Sequence, residues 1–175
     1  KIVLDRGYKV SFLAIGEGSH KQEYQSTLKK KYKRHILFPG LQKEIESIIQ
    51  LFDIGVLLTN SDIHGEGISN SILEYMASGK AVIATDTGGS SEIIQQNKTG
   101  FLLPPKSVEL VASCMIHLLE NPELARQMGE KGKKRIQDHF SLQRMTDTYM
   151  EHYHEALNLP YKAFYAEETL ESVLA

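Results

Sequence analysis

Apolar positions along the first hundred residues fall into two kinds of run. Short, nearly unbroken apolar stretches recur as "KVSFLAIG" (9–16), "HILF" (35–38), "DIGVLLT" (53–59), "AVIAT" (81–85) and "TGFLLPP" (99–105). Runs of this length without alternation read as strands buried on both faces. Between them lie segments with helical character. Residues 20–31 are polar and helix-compatible, and "QKEIESIIQLF" (42–52) sets Ile45, Ile48, Ile49 and Phe52 at helical spacing. A further helix ends at Gly79, and "TGGSSEIIQQN" (87–97) gives a glycine turn and a short helix. Strands alternating with helices predict an α/β fold, a Rossmann-like parallel sheet with helices on both faces.

Beyond Pro105 the pattern is helical only, a C-terminal helical extension. Asn121-Pro122 reads as an N-cap followed by proline at the first helical position, and Ser141 as the cap of a helix over 142–157. The opening "KIVLDRGYKV" reads as the last turn of a helix closed by Gly7, then a strand. The expected organisation is one domain over 1–157, lacking its first strand and part of its first helix, and a tail over 158–175 with a short helix at 167–174. The chain is expected to be a piece of a longer protein.

The 175 residues suffice for one domain with a sizeable core. A net charge of -2 gives no reason to expect nucleic acid. The single cysteine, Cys114, excludes an intrachain disulfide and a cysteine-rich metal site, and fits a reducing compartment. No apolar run approaches the roughly 20 residues of a membrane span, and no stretch reads as a secretory leader. The basic run "KKKYKR" (29–34) reads as a solvated helix end, with contact to anionic lipid as the alternative.

In open parallel sheets, ligands bind beyond the carboxyl ends of the strands. Four loops occupy such positions: "GEGS" (16–19), "PGL" (39–41), "TNSDIHGEGISN" (59–70) and "DTGGSS" (86–91). Each carries glycine, which lets a ligand approach the backbone. Two of them lead into helices, whose free N–H groups and partial positive charge suit a phosphate. Glu66 and Glu74 stand in and just after the third loop, with seven residues between them. Ser71 precedes Glu74 by three, so an S-x-x-E capping box competes with ligand binding for Glu74. Glu66 has the competing reading of a solvated loop acid. Asp62, His64 and Glu66 alternate as metal ligands do, but a lone D-x-H-x-E in a loop is weak, and no metal site is expected. The Gly88-Gly89 turn either contacts a ligand or merely joins strand to helix.

The stretch "EGISNSILEYMASGKAVIATDTGGSSEIIQQNKTGFLLPP" resembles the donor-binding half of the group 1 (family 4) retaining glycosyltransferases of the GT-B fold. Glu66 and Glu74 match the two glutamates of that family's E-x7-E element. Ala77-Ser78-Gly79, Thr85-Asp86, Gly88-Gly89, Gly100 and Pro104-Pro105 match the positions that follow. The likeness reaches back to "IGEG" and "FPGL" and forward to "LLENPELARQMGEKGKKRI" and "HFS", covering residues 10–157.

The resemblance implies a nucleotide-sugar donor site. Glu74 would hold the ribose hydroxyls, and Glu66 would face the donor sugar at the reacting centre as the catalytic residue. The N–H groups of Gly67, Ile68, Ser69 and Asn70 would meet sugar or phosphate oxygens. Pro39, Gly40 and Leu41 would border the base, with Gly16, Gly88 and Gly89 completing the lining. A carboxylate can accept from two vicinal hydroxyls at once, which suits Glu74 to a ribose. The family implies no cofactor and a UDP-sugar ahead of a GDP-sugar as donor. It also implies an N-terminal acceptor-binding domain, a Gly-Arg element and a lysine that neutralise the diphosphate, all outside this chain. The fragment is therefore expected to be inactive alone. The acceptor would be a glycan or lipid-linked glycan, as in bacterial surface polysaccharide synthesis. The protein would be cytoplasmic or peripheral at the inner face of the membrane. The alternatives are a nucleotide-sugar 2-epimerase and a non-catalytic nucleotide-sugar-binding domain.

Overall fold

The computed structural model describes residues 1–18, 20–59 and 67–157, with strands and helices alternating as far as Leu103 and helices following. Five strands form: β1 (Phe12–Ile15), β2 (Ile36–Gly40), β3 (Ile54–Leu57), β4 (Ala81–Thr85) and β5 (Gly100–Leu103). All neighbours pair in parallel, as the unbroken apolar runs predict. They do not form one hydrogen-bonded sheet. β1 and β2 pair with each other, and β3, β4 and β5 form a second sheet with β4 in the middle.

Burial follows this division. All five residues of β4 are buried. On its far edge Gly100 stands opposite Val82, where a Cβ would come within 2.3 Å of the Val82 carbonyl oxygen. β1 and β2 depart from the expectation of burial on both faces. Leu13 and Leu37 are register partners, and they remain 38% and 49% exposed. Phe12, on the other face by strand alternation, packs against a cluster of Val3, Ala112 and Ile116. Helical cover is thus evident at Phe12, while Leu13 and Leu37 stay partly in water.

That cover comes from α1 (Ile2–Asp5) and α7 (Val108–Glu120). α1 ends at Gly7, whose φ of 88° and N–H bond to the Leu4 carbonyl (3.0 Å) make the expected helix stop. α7 serves both sheets. Its Leu118 joins Ala81, Ile83, Leu103 and Met128 in one core cluster, its Ala112 and Ile116 join Val3 in another, and Met115 packs against both.

The predicted helix over 20–31 is two pieces, α2 (Lys21–Thr27) and α3 (Lys30–Lys33), because Leu28 and Lys29 turn to extended backbone. In α3, Lys31 pairs with Asp5 at 2.6 Å, and Tyr32 donates to the same carboxylate at 2.6 Å. α4 (Ile45–Ile49) is shorter than its apolar pattern predicts. Ile49 is fully buried, while Leu51, past the helix end, is 79% exposed. α5 (Asn70–Ala77) closes at Gly79 (φ 71°) and packs on β3 and β4. Tyr75 lies against Gly55 of β3, where a Cβ would come 2.4 Å from the ring. Burial, and then the neighbouring Glu74 charge, push the Tyr75 hydroxyl pKa up.

α6 (Ser90–Ile93) is a single turn. α8 (Pro122–His139) starts on the predicted proline. Asn121 does not act as its side-chain cap. Its Nδ2 donates to the His117 carbonyl (2.8 Å), so it finishes α7. Ser141 caps α9 (Leu142–Ala156) as predicted, its Oγ accepting from the Arg144 N–H (3.2 Å).

The chain forms two compact units, Lys1–Ile136 and Gln137–Ala175, and the boundary falls in the last turn of α8. The predicted boundary after residue 157 and the tail helix at 167–174 adjoin or enter 158–175, outside the described residues. In the second unit, Leu142, Met145, Tyr149, Tyr153 and Leu157 form a stripe at helical spacing, and all five are exposed. The Tyr149 and Tyr153 rings stack at 6.3 Å. Among the described residues no helix is long and apolar enough to cross a membrane.

Two glycines of α8 face opposite fates on substitution. A Cβ on Gly129 would sit 1.9 Å from the Gly79 carbonyl oxygen, so backbone meets backbone there. On Gly132 the nearest atoms belong to Met76, 3.5 Å away, an ordinary contact. Gly129→Ala should destabilise the chain by about 2–4 kcal/mol. Gly132→Ala should stabilise it by about 0.5–1 kcal/mol through helix propensity. Denaturant melts of both variants measure this, and equal effects would contradict the packing described.

Candidate functional site

The loops at the carboxyl ends of the strands come together in pairs. At the ends of β1 and β2, the Gly16 N–H donates to the Gly40 carbonyl at 3.0 Å. Both glycines have positive φ, 116° and 77°. A Cβ on Gly40 would meet Glu17 Oε1 at 2.7 Å, and that carboxylate pairs with Lys21 at 2.9 Å. The Gln42 side chain donates to the Pro39 carbonyl at 2.9 Å. Three predicted base-side residues, Pro39, Gly40 and Leu41, thus share one loop cluster with the predicted donor-site residue Gly16. Leu41 is 77% exposed and offers an apolar surface there.

The ends of β3 and β4 make the second pair. Thr85, the last residue of β4, is buried, and its Oγ1 accepts from the Thr59 N–H at 2.7 Å. The next loop is braced from several sides. The Asp86 N–H donates to the Leu103 carbonyl (2.8 Å), and the Ser90 N–H to the Thr87 carbonyl (3.2 Å). From this turn the Gly89 N–H donates to the Gly67 carbonyl at 3.0 Å. Gly88, Gly89, Gly67 and Ile68 therefore sit together, and 67–70 lead directly into α5.

α5 starts earlier than a capping box on Ser71 requires. Ser69 is its N-cap, with extended backbone, and the Leu73 N–H donates to the Ser69 carbonyl at 3.3 Å. The Ser69 hydroxyl makes no cap bond. Ser71 is then the second helical residue and Glu74 the fifth, so Glu74 cannot reach back to close the helix start. The capping account of Glu74 does not survive this register. Its side chain is half-buried, and no hydrogen bond or ion pair among the described residues engages it. A half-buried carboxylate gains from hydrogen-bond donors.

Glu66 lies outside the described residues, as do Asp62 and His64, the other members of the metal-like alternation. Among the described residues, no group of three His, Cys, Asp or Glu side chains is placed to hold a metal ion. Two features were not legible in the sequence. One is the Thr85–Thr59 tie, an ordinary threonine in an apolar strand. The other is a cavity of 240 Å³ at the carboxyl ends of β3, β4 and β5, lined by Leu58, Thr85, Leu103, Pro104 and Val108 among others. The Gly-Gly pair was the available signal for the Gly89–Gly67 contact, but it did not say which partner the glycine approaches.

Comparison with known proteins agrees with this architecture. The sequence profile of the Glycosyl transferases group 1 family matches residues 1–135. N-acetyl-alpha-D-glucosaminyl L-malate synthase of Bacillus anthracis is 31% identical over 122 residues, 70% of this chain and 31% of that protein. A mutant of Staphylococcus aureus TarM, crystallised with UDP among other ligands, superposes with a TM-score of 0.76 at 25% identity, over 86% of this chain and 30% of TarM. The C-terminal domain of the group 1 glycosyl transferase LpcC of Francisella tularensis superposes with a TM-score of 0.69 at 28% identity, over 81% of this chain and 75% of that domain. The chain spans 30 to 38% of the length of four curated relatives that it matches over 70 to 86% of its own length. A profile match over most of the chain, with the parallel strands and glycine loops in the matching order, places this chain in the group 1 glycosyltransferases, with the Rossmann-like fold of GT-B enzymes.

Proposed function

We propose that this chain is the nucleotide-sugar donor-binding domain of a retaining glycosyltransferase, and that Glu74 holds the ribose of the donor. The observation that carries this reading is the state of Glu74. It is half-buried, has no hydrogen-bond or ion-pair partner among the described residues, and stands one helical turn beyond Gly67, Ile68 and Ser69. The N–H groups of Gly67, Ile68, Ser69 and Asn70 would receive sugar or phosphate oxygens there. No backbone hydrogen bond among the described residues uses the N–H of Gly67, Ile68 or Ser69. The cluster of Gly16, Pro39, Gly40 and Leu41 would border the base, with Leu41 as its apolar wall. Glu66 would face the transferred sugar, where positive charge develops, and would stabilise it without a covalent step.

A hexose would pass from a UDP- or GDP-sugar to a glycan or lipid-linked acceptor, with no cofactor. The presence of UDP in the TarM crystal favours the uridine donor. The acceptor domain would lie elsewhere in the protein, so this chain alone would bind a donor weakly and turn nothing over. The exposed stripe on α9 offers a surface for such a domain. Its polar neighbours include Asp147, Glu151 and Glu155 against Arg144, a balance that disfavours an anionic membrane. The enzyme would work in the cytoplasm, in contact with the inner face of the membrane where its acceptor is lipid-linked.

Titration calorimetry with UDP and GDP tests the reading directly. UDP should bind this chain, and the binding should persist in EDTA. Binding that vanishes in EDTA and returns only with Mg²⁺ or Mn²⁺ would show that a metal is required.

Glu74→Gln separates ligand binding from structure. Its thermal stability should stay within about 0.5 kcal/mol of wild type, because the carboxylate caps nothing. Its UDP affinity should fall about 10- to 100-fold, the worth of about one charge-assisted bond. In the full-length enzyme this appears as a raised KM with a smaller change in kcat, whereas Glu66→Gln should chiefly lower kcat. A Glu74→Gln protein that melts like wild type and binds UDP equally well would refute the ribose role.

A further inference from the structure

Gly88 and Gly89 both stand in the turn after β4, yet the structure separates their roles. Gly88 has a φ of 55°, so its requirement is conformational. Gly89 has an ordinary φ of -81°, so its requirement is space. A Cβ on Gly89 would lie 2.9 Å from Ile68 Cγ1, 3.1 Å from the Gly67 carbonyl oxygen and 3.2 Å from the Gly67 carbonyl carbon. The Gly89 N–H is already committed to the Gly67 carbonyl at 3.0 Å. Gly89 itself is buried.

We propose that Gly89 is a positioning residue for the donor loop, acting on the bound nucleotide sugar through Gly67 and Ile68 rather than touching it. The inference rests on the donor-site reading of 67–70 given above. Gly89 is well placed for this work. It hangs from the buried strand β4 through a turn braced by the Asp86–Leu103 and Ser90–Thr87 backbone bonds. Among the described residues, a Cβ on Gly67 would meet nothing within 4 Å. A methyl group on Gly89 would therefore push against the Ile68 side chain and the Gly67 carbonyl. The Gly67 and Ile68 N–H groups would swing with it, away from where they meet the ligand. Rigid support of a binding loop within fractions of an ångström is what such sites require.

The test uses Gly89→Ala in the 175-residue chain. Without nucleotide, the amide resonances of Gly67, Ile68, Ser69 and Asn70 should shift. UDP affinity should fall about 10- to 100-fold. Adding Ile68→Ala removes the nearest clashing atom, so Gly89→Ala/Ile68→Ala should bind UDP more tightly than Gly89→Ala alone, a rescue that a merely destabilised α6 would not show. Should Gly89→Ala fail to fold, hydrogen exchange in the wild-type chain still decides. The Gly89 amide should be protected before UDP is added and equally protected afterwards. Unshifted loop amides with unchanged affinity, no rescue in the double variant, or a Gly89 amide that becomes protected only with UDP would each overturn the positioning role while leaving the donor site standing. A wild-type chain that binds neither UDP nor GDP would overturn the donor-site reading and this role with it.

Discussion

The burial of β4 is the constraint on which the candidate site depends. All five of its residues are out of water, with a parallel neighbour on each edge and α7 contributing to the core beneath. Burying its valine and isoleucine alone is worth about 1.5–3 kcal/mol each. The strand cannot shift without exposing them, so its carboxyl end is fixed in space. From that end Thr85 ties down the start of the loop after β3, and Gly89 ties down the end of it. The core thus holds the third loop at both of its described ends, and α5 begins where the second tie leaves off.

The two-sheet arrangement has a different balance. β1 and β2 are as apolar as β4 in sequence, but one face of the pair, with Leu13 and Leu37, stays partly in water. Their stability leans on α1 and α7 under the Phe12 face and on the mutual hydrogen bonds of the two strands. Their loops nonetheless meet through the Gly16–Gly40 bond. A site divided between a firmly anchored loop pair and a lightly covered one suits a ligand with two ends. In the proposed donor site, the ribose and sugar side would fall to β3 and β4, and the base side to β1 and β2.

Much of this was legible in the sequence because the signals were physically redundant. Unbroken apolar runs, glycine stops at Gly7 and Gly79 and the Ser141 cap each fixed an element without reference to the rest. What failed did so where a competing local bond, a shifted helix start or the packing of neighbours overrode the pattern. Asn121 looked like a cap for the helix ahead of it, but its amide found the His117 carbonyl behind. Ser71 and Glu74 had the spacing of a capping box, but the helix starts at Asn70 and leaves that spacing idle. Full burial of β1 and β2 was expected from their unbroken apolar runs, yet Leu13 and Leu37 stay partly in water. The glutamates and the glycine loops were visible because their spacing is distinctive. The partner of Gly89 was not, since close approach of two backbones leaves no mark beyond the glycine itself.

The most direct test of the central claim is a crystal structure of this chain soaked with UDP. The Glu74 carboxylate should accept from both ribose hydroxyls at about 2.5–2.7 Å, the spacing of O–H···O⁻ bonds, with diphosphate oxygens against the N–H groups of 67–70. A nucleotide seated elsewhere, or one in this loop cluster whose ribose turns away from Glu74, would contradict it.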